Sequence, residues 1–318
     1  MEFGRLALSM GARYDDIRYI FRSFITPRLN AERSFSRITP KLGASFRLTP
    51  TFSVYANLGG GVEAPAGNET DPASTFGTDT ITGINPLLDP IRSMTFEAGA
   101  KHVVARSDGV LRELTWDLAL YQTGVTNEVV PYRGGRFYFT AGKARRRGAE
   151  LGLTGSFQGG LTLQTAIALS DNRYTDYRVD SVHYNAALAG RFADYSNNHV
   201  VGVPGTMGTI SATWRPAALK GIAVNLTSQR LGSYFADDAN AIEVPAWTMS
   251  NATVSFDQLA LAQGRLGVRT FLAINNFTNS TYVASAFLNP DIVGNVPVYL
   301  EGGLPRNVVL SFTLERMR

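Results

Sequence analysis

The chain has 318 residues, 44% of them hydrophobic and 18% charged, with 31 glycines, no cysteine and a formal net charge of +4. No run approaches the roughly 18 consecutive apolar residues of a spanning helix, and the missing thiols exclude structural disulfides and thiolate metal sites. The 26 arginines, against 4 lysines and 26 acids, are scattered except at Arg145-Arg146-Arg147. That scatter gives no basic patch for nucleic acid, but arginine rims suit anionic lipid headgroups or an anionic ligand.

From Arg5, Leu6, Leu8, Met10 and Ala12 alternate with Ala7, Ser9, Gly11 and Arg13, and the pattern runs towards Phe21. Met1-Glu2-Phe3 leads almost directly into it, so the sequence predicts that an export signal is missing or was removed. After a polar stretch, Leu42, Ala44 and Phe46 alternate with polar residues; Leu48-Thr49-Pro50 turns the chain into Phe52, Val54, Ala56 and Leu58. A loop is expected over 59–92. Phe96 to Lys101 resumes the alternation, 106–109 turns it, and Leu114, Trp116, Leu118 and Leu120 oppose Glu113, Thr115, Asp117 and Tyr121. A loop is expected across Pro131-Tyr132-Arg133-Gly134-Gly135. The hairpin from Arg147 to Ser170 is the clearest unit: two arms of about ten residues each, with Ala149, Leu151 and Leu153 on one and Leu161, Leu163, Thr165, Ile167 and Leu169 on the other. Loops are expected at 172–205, 235–246 and 278–305. Between them lie strand faces at Ile210–Trp214, Ile222–Leu226, Ala252–Phe256, Leu266–Ile274 and Val308–Leu314.

Arms of this length match the roughly 9–11 residues a tilted strand needs to cross a bilayer. The connections alternate short and long, so the long loops fall at one end, as in an up-and-down outer-membrane barrel. The sequence therefore predicts an all-β, antiparallel, transmembrane β-barrel with about twelve strands over residues 1–318. A soluble β-domain alternates too, but seldom carries loops beyond about 12–15 residues at one end only.

Several stretches resemble the C-terminal barrel half of a TonB-dependent outer-membrane receptor of the siderophore type. They are Thr39-Pro40-Lys41-Leu42-Gly43, Ser53-Val54-Tyr55-Ala56-Asn57, Gly61-Val62-Glu63-Ala64-Pro65 and Asn85-Pro86-Leu87-Leu88-Asp89-Pro90, then Phe96-Glu97-Ala98-Gly99-Ala100-Lys101. The run Gly142-Lys143-Ala144-Arg145-Arg146-Arg147-Gly148-Ala149-Glu150-Leu151 is similar to the family's most recognisable strand. Tyr234-Phe235-Ala236-Asp237-Asp238-Ala239-Asn240 and Ile274-Asn275-Asn276-Phe277-Thr278-Asn279-Ser280-Thr281-Tyr282 follow in the family's order. The resemblance implies a barrel of roughly 22 strands filled by an N-terminal plug. Nothing here corresponds to the plug or the first half, so the chain resembles the C-terminal strands, and contact with TonB belongs to the missing N-terminal region. The implied function is uptake of a ferric siderophore or similar scarce metal chelate across the bacterial outer membrane. The implied partners are outer-membrane lipid and that chelate. Arg316 stands where such a chain usually has an aromatic, which places any assembly signal on Phe312. The alternative is a self-contained barrel acting as a passive pore, which needs pairing between the strands near Leu6–Ala12 and Val308–Leu314.

No enzyme constellation is present, and His102, His183 and His199 have no metal-ligand spacing, so no catalytic residue, metal ligand or cofactor is predicted. Ligand contacts are expected on the long-loop side from Tyr132, Arg133, Arg136, Tyr138, Tyr174, Tyr177, Arg178, Tyr195 and Tyr234. Arginine forks pair with carboxylates and tyrosine offers a flat apolar face with a polar tip; the competing reading is an interfacial aromatic girdle. In Arg145-Arg146-Arg147, alternation is expected to send Arg146 into the lumen and Arg147 outward to the headgroups.

Overall fold

The computed structural model describes residues 2–67, 69, 84, 89–106, 108–132, 137–180, 192–261, 266–290, 292–293, 296–297 and 300–316. Thirteen strands form one antiparallel sheet in chain order. They are β1 Glu2–Phe3, β2 Leu6–Phe21, β3 Ala31–Thr49, β4 Phe52–Glu63, β5 Ile91–Ala105, β6 Leu111–Tyr132 and β7 Phe137–Phe157; then β8 Leu161–Asp176, β9 Thr206–Trp214, β10 Ile222–Leu231, β11 Trp247–Leu261, β12 Leu266–Asn275 and β13 Asn307–Arg316. Twelve are long, matching the expected number, and β1 has only two residues. Every neighbour is the next strand in sequence, as short turns between antiparallel strands allow. The hairpin at Gly159 and Gly160 shows the turn chemistry: both adopt positive φ, +85° and +83°.

The alternation read from the sequence becomes two continuous faces because the register shifts between neighbouring strands fall near strand ends and leave the middle of each ladder unbroken. On the outer face Leu42, Leu58 and Phe96 stand opposite one another in turn, as do Leu118, Leu151 and Ile167, and further on Leu272 and Leu310. Leu118, Leu151 and Leu310 are 39%, 38% and 73% exposed, so these side chains do not share a dry centre. On the other face a polar row runs Ser9, Gly43, Asn57, Glu97, Tyr121, Gly148 and Ser170. Here tyrosine rings lie over glycines: a Cβ at Gly99 would meet the Tyr55 ring at 2.6 Å, and one at Gly148 the Tyr121 hydroxyl at 2.7 Å.

Several expected loops prove shorter than the turn-forming residues suggested. Strand β3 begins at Ala31, opposite Phe21, inside the stretch expected to be polar and irregular. The 59–92 loop loses both ends, because Gly59–Glu63 pair with Ile91–Thr95. Pro131 and Tyr132 are not loop: the β6–β7 ladder runs on to Tyr132 opposite Phe137. Strand β8 continues to Asp176, and β11 to Leu261. In each case a ladder already in register extends at little entropic cost, and one favourable neighbour overrides local Gly or Pro signals.

Among the described residues, β13 pairs only with β12, and β2 only with β1 and β3. The ladder required by a self-contained pore is not formed, and that reading is set aside.

Substituting Leu151 by Arg places a charge mid-belt on the outer face and is expected to cost roughly 2–4 kcal/mol, whereas Thr154→Lys on the inner face costs less than about 1. Urea unfolding in lipid vesicles measures both; equal losses would contradict the assignment of faces. Gly148→Val, forced against Tyr121, is expected to destabilise by roughly 1–3 kcal/mol in the same assay.

Candidate functional site

At the long-loop end, three connections carry four small hairpins: Arg178–Asp180 with Phe192–Asp194, Tyr234–Phe235 with Glu243–Val244, and, both within the connection from β12 to β13, Val283–Ala286 with Leu300–Gly302 and Ile292–Val293 with Val296–Pro297. These three loops are tied together on the upper end of β8. Inward positions there are Ser170, Asn172 and Tyr174; Tyr174 stands opposite Ala144 at the end of the unshifted ladder, and the register shift follows, with Lys143 opposite Asp176. Residues 198–200 lie along this end, with Tyr174 N–H donating to Asn198 O (3.0 Å) and Val200 N–H to Asn172 O (3.0 Å). Val125, Ala144, Tyr174, Tyr177 and Val200 form a buried apolar cluster flanked by Ile91, Tyr195 and Val203.

Over this cluster sits Asp238, only 3% exposed. Its carboxylate accepts hydrogen bonds from Tyr174 Oη (3.2 Å), Tyr177 Oη (2.8 Å) and Asn289 Nδ2 (3.1 Å). Its backbone N–H donates to Asn289 Oδ1 (3.0 Å), and its carbonyl accepts from Asn198 Nδ2 (2.7 Å). Next to it, Asn240, with φ +55°, clamps His199: the His199 N–H donates to Asn240 Oδ1 (2.7 Å), and Asn240 Nδ2 to the His199 carbonyl (3.1 Å). One aspartate thus joins the loop after β8, the loop after β10 and the loop after β12 into a roof.

The roof is held by hydrogen bonds in a low-dielectric setting, where an unsatisfied member is expensive. Burial pushes the Asp238 carboxyl up to about 6, although the Tyr177, Tyr174 and Asn289 donors oppose that shift; Asp237 nearby adds to it. Burial likewise raises the Tyr174 phenol, with Asp238 and Glu128 contributing. A little further in, Asn127 at φ +60° interrupts the alternation of β6, and Glu128 turns to pair with Arg146 on β7. Arg146 faces inward and Arg147, 54% exposed, outward, as alternation requires.

The nine expected ligand contacts separate in space. Tyr174 and Tyr177 are each 1% exposed and lie beneath the roof, their rings 4.7 Å apart. Tyr195 packs 5.3 Å from Tyr177 and is half-buried; Arg178, 70% exposed, pairs with Asp194 at 3.3 Å; Tyr234 is half-buried on the neighbouring loop. Tyr132 and Tyr138 lie opposite Phe137 and Pro131 at the far end of the β6–β7 ladder, and Arg133 and Arg136 fall outside the described residues. Sequence reasoning did not single out Asp238, Asn289, Asn198 or Asn240. The only available signal was the Asp237-Asp238 pair within an otherwise weak motif. Among the described residues no group of three or more His, Asp or Glu side chains is placed to hold a metal ion.

An open antiparallel sheet with an apolar outer face, a polar inner face and folded loops at one end is the wall of an outer-membrane β-barrel. The family profile "TonB dependent receptor-like, beta-barrel" matches residues 1–277, and the chain belongs to that family. Relatives include the ferrioxamine receptor of Yersinia enterocolitica, 27% identical over 63% of this chain and 25% of that protein. A probable TonB-dependent siderophore receptor, PiuA, of Acinetobacter baumannii is 22% identical over 88% of the chain and 35% of the relative. The crystal structure of PiuA superposes with a TM-score of 0.70 at 21% identity, covering 98% of this chain and 40% of that one. The chain therefore spans between a quarter and two fifths of the length of these relatives.

Removing the shared acceptor by Asp238→Ala leaves two phenols and one amide without a partner and is expected to loosen the roof by roughly 2–4 kcal/mol. Hydrogen exchange at Val200 and Asn198 should speed up while mid-strand amides of β7 and β8 stay protected. Because the folded-state carboxyl titrates near 6, above its unfolded value near 4, the folded roof holds an extra proton between those limits. Roof stability should therefore rise as pH falls from about 7 to about 4, by roughly 2–3 kcal/mol, and Asp238→Asn should flatten that dependence.

Proposed function

We propose that residues 1–318 form part of the barrel wall of an outer-membrane receptor that captures a metal chelate of the ferric siderophore class at the loop roof. The observation that carries this reading is the placement of Arg178 and Tyr195 on loop segments stitched to the wall through Asp238. Arg178 offers a guanidinium to an anionic chelate, and Tyr195 and Tyr234 offer flat faces with polar tips. In this reading Tyr174 and Tyr177 position the roof from below and touch no ligand while it is closed, and Tyr132, Arg133, Arg136 and Tyr138 provide a second contact zone around the β6–β7 hairpin. The names of the relatives, a ferrioxamine receptor and a siderophore receptor, support a metal chelate as the substrate class. Passage through the barrel and engagement of TonB are assigned to parts of the receptor beyond this chain.

The test is titration of the complete receptor, in detergent micelles, with a ferric hydroxamate, a ferric catecholate, ferric citrate and cobalamin, read by quenching of tryptophan fluorescence. One iron chelate is expected to bind at least about tenfold more tightly than cobalamin, corresponding to about 1.4 kcal/mol. The double variant Arg178→Gln, Tyr195→Ala should weaken it by a similar factor with the roof still protected from exchange. Failure of every iron chelate to bind, or an unchanged affinity in the double variant, would overturn the assignment.

A further inference from the structure

Above the membrane the wall divides between β3 and β4. Strands β2 and β3 stay paired as far as Phe21 opposite Ala31, and β4 and β5 as far as Glu63 opposite Ile91, but the ladder joining β3 to β4 stops at Lys41 opposite Gly59. Pro40, with no N–H to offer the next rung, stands where the two hairpins part. A Cβ at Gly60 would meet its ring at 2.9 Å. Further up, side chains rejoin the hairpins: Tyr19 Oη donates to Pro65 O (2.5 Å), and Arg33 pairs with Asp89 at 2.8 Å. In the slot so formed lies a cavity of about 180 Å³. Ile17, Phe35, Val62 and Pro90 give it apolar walls, and Arg37 and Arg92 bring two guanidinium groups to it.

Size, charge and height limit what the slot takes. A drug-sized ligand needs at least about 300 Å³, whereas an apolar cavity of about 150 Å³ holds benzene. At about 180 Å³ the slot has room for one ring and one small substituent. The charge comes from Arg37, whose Nε is buried without a hydrogen-bond partner among the described residues. Asp15 stands directly across the ladder from it, yet Asp15 accepts from Arg13 Nε at 2.7 Å, and Asp89 is engaged by Arg33. A buried donor left unpaired is costly, and a carboxylate lying side-on to a guanidinium accepts from Nε and Nη together. Val62 stands four residues beyond the belt residue Leu58. At about 3.3 Å per residue and a tilt near 40°, the slot is therefore roughly 10 Å above the belt. That is past a headgroup layer of about 5–8 Å, so its occupant arrives from water.

We propose that this slot binds a single aromatic ring carrying one anionic group, with the ring against Phe35 and Val62 and the anion on Arg37. The ring comes either as a free aromatic acid or as an aryl arm of a metal chelate, since both present the same chemistry. The slot is separate from the loop roof and does not depend on capture of a chelate there.

The complete receptor in detergent micelles is titrated with para-fluorobenzoate, and the fluorine resonance is followed by NMR against empty micelles. Saturable line broadening is expected, with about tenfold weaker binding of para-fluorobenzamide, which lacks the charge, and of fluoroacetate, which lacks the ring. Val62→Trp, which fills the slot, and Arg37→Gln should each weaken binding by about tenfold. Arg37→Lys should keep part of it, and Arg269→Gln, at the far end of the sheet, should change nothing. Should Val62→Trp fail to assemble, Arg37→Gln and the two comparison compounds on the unaltered protein decide the matter. Competition separates the sources: displacement by a ferric catecholate but not by ferric citrate places an aryl arm in the slot, and displacement by neither assigns it to a free aromatic acid. Displacement by ferric citrate would overturn the requirement for a ring. No saturable broadening, equal binding of the amide, or unchanged binding in Arg37→Gln would overturn the proposal.

Discussion

A strand that lies in hydrocarbon must give every backbone N–H and C=O a partner on the next strand, since no water is there to substitute. Most of this structure follows from that demand. It forces long uninterrupted ladders, and ladders fix register, which in turn fixes which side chains face lipid. Among the described residues the register shifts in the main sheet fall at Arg47/Thr49, Leu111/Glu113, Asp257/Leu259 and Lys143/Ala144, all near strand ends. Between Leu114 and Thr126, where the belt crosses β6, pairing with β7 is unbroken. Irregularity is confined to where water or a loop can satisfy the backbone.

The loop roof solves the same problem with the opposite material. Away from the ladder, backbone groups are met by side chains, and asparagine is the residue that does it. Every positive-φ residue other than glycine among the described residues is Asn: 127, 197, 240, 276, 279 and 289. Asparagine tolerates the left-handed region and carries both a donor and an acceptor, so one residue can turn the chain and tie it to a neighbour. Asn276 shows the economy of this: its Nδ2 donates to Ser280 O and Leu304 O while its Oδ1 accepts from Ser280 N–H. Asp238 occupies a place in the roof where three donors converge, and a carboxylate has the lone pairs to accept them all.

The wall was legible in the sequence because its rule is local and periodic. Leu114, Trp116, Leu118 and Leu120 announce a face whatever surrounds them, and the hairpin at Gly159-Gly160 carries its own turn chemistry. The ends of strands were not legible, because whether Val129 to Tyr132 pair depends on Phe137 to Thr140 across the turn, a non-local fact. Of the candidate ligand residues, the sequence could place Tyr174 and Tyr177 near the long-loop end but could not show that both rings close over a buried cluster. That depends on Asp238 and Asn289, which lie 64 and 115 positions beyond Tyr174. Composition alone made all the tyrosines look alike; burial separates those that support the roof from those that line it.

The run Arg145-Arg146-Arg147 shows how one stretch of sequence serves two media. Alternation turns Arg146 inward, where Glu128 neutralises it beside the roof, and turns its neighbours outward, where Asp171 neutralises them only in part. An inward-facing arginine paired with a buried carboxylate stiffens the inner wall but has no charge to spare. An under-paired arginine at the membrane surface is different: its cost is borne by whatever anion the surroundings supply. The inner and outer arginines are thus divided by the pleat into a structural pair and an open electrostatic demand. That division, rather than the total charge of the triplet, decides that Arg146 belongs to the protein's interior and Arg145 to its boundary with the bilayer.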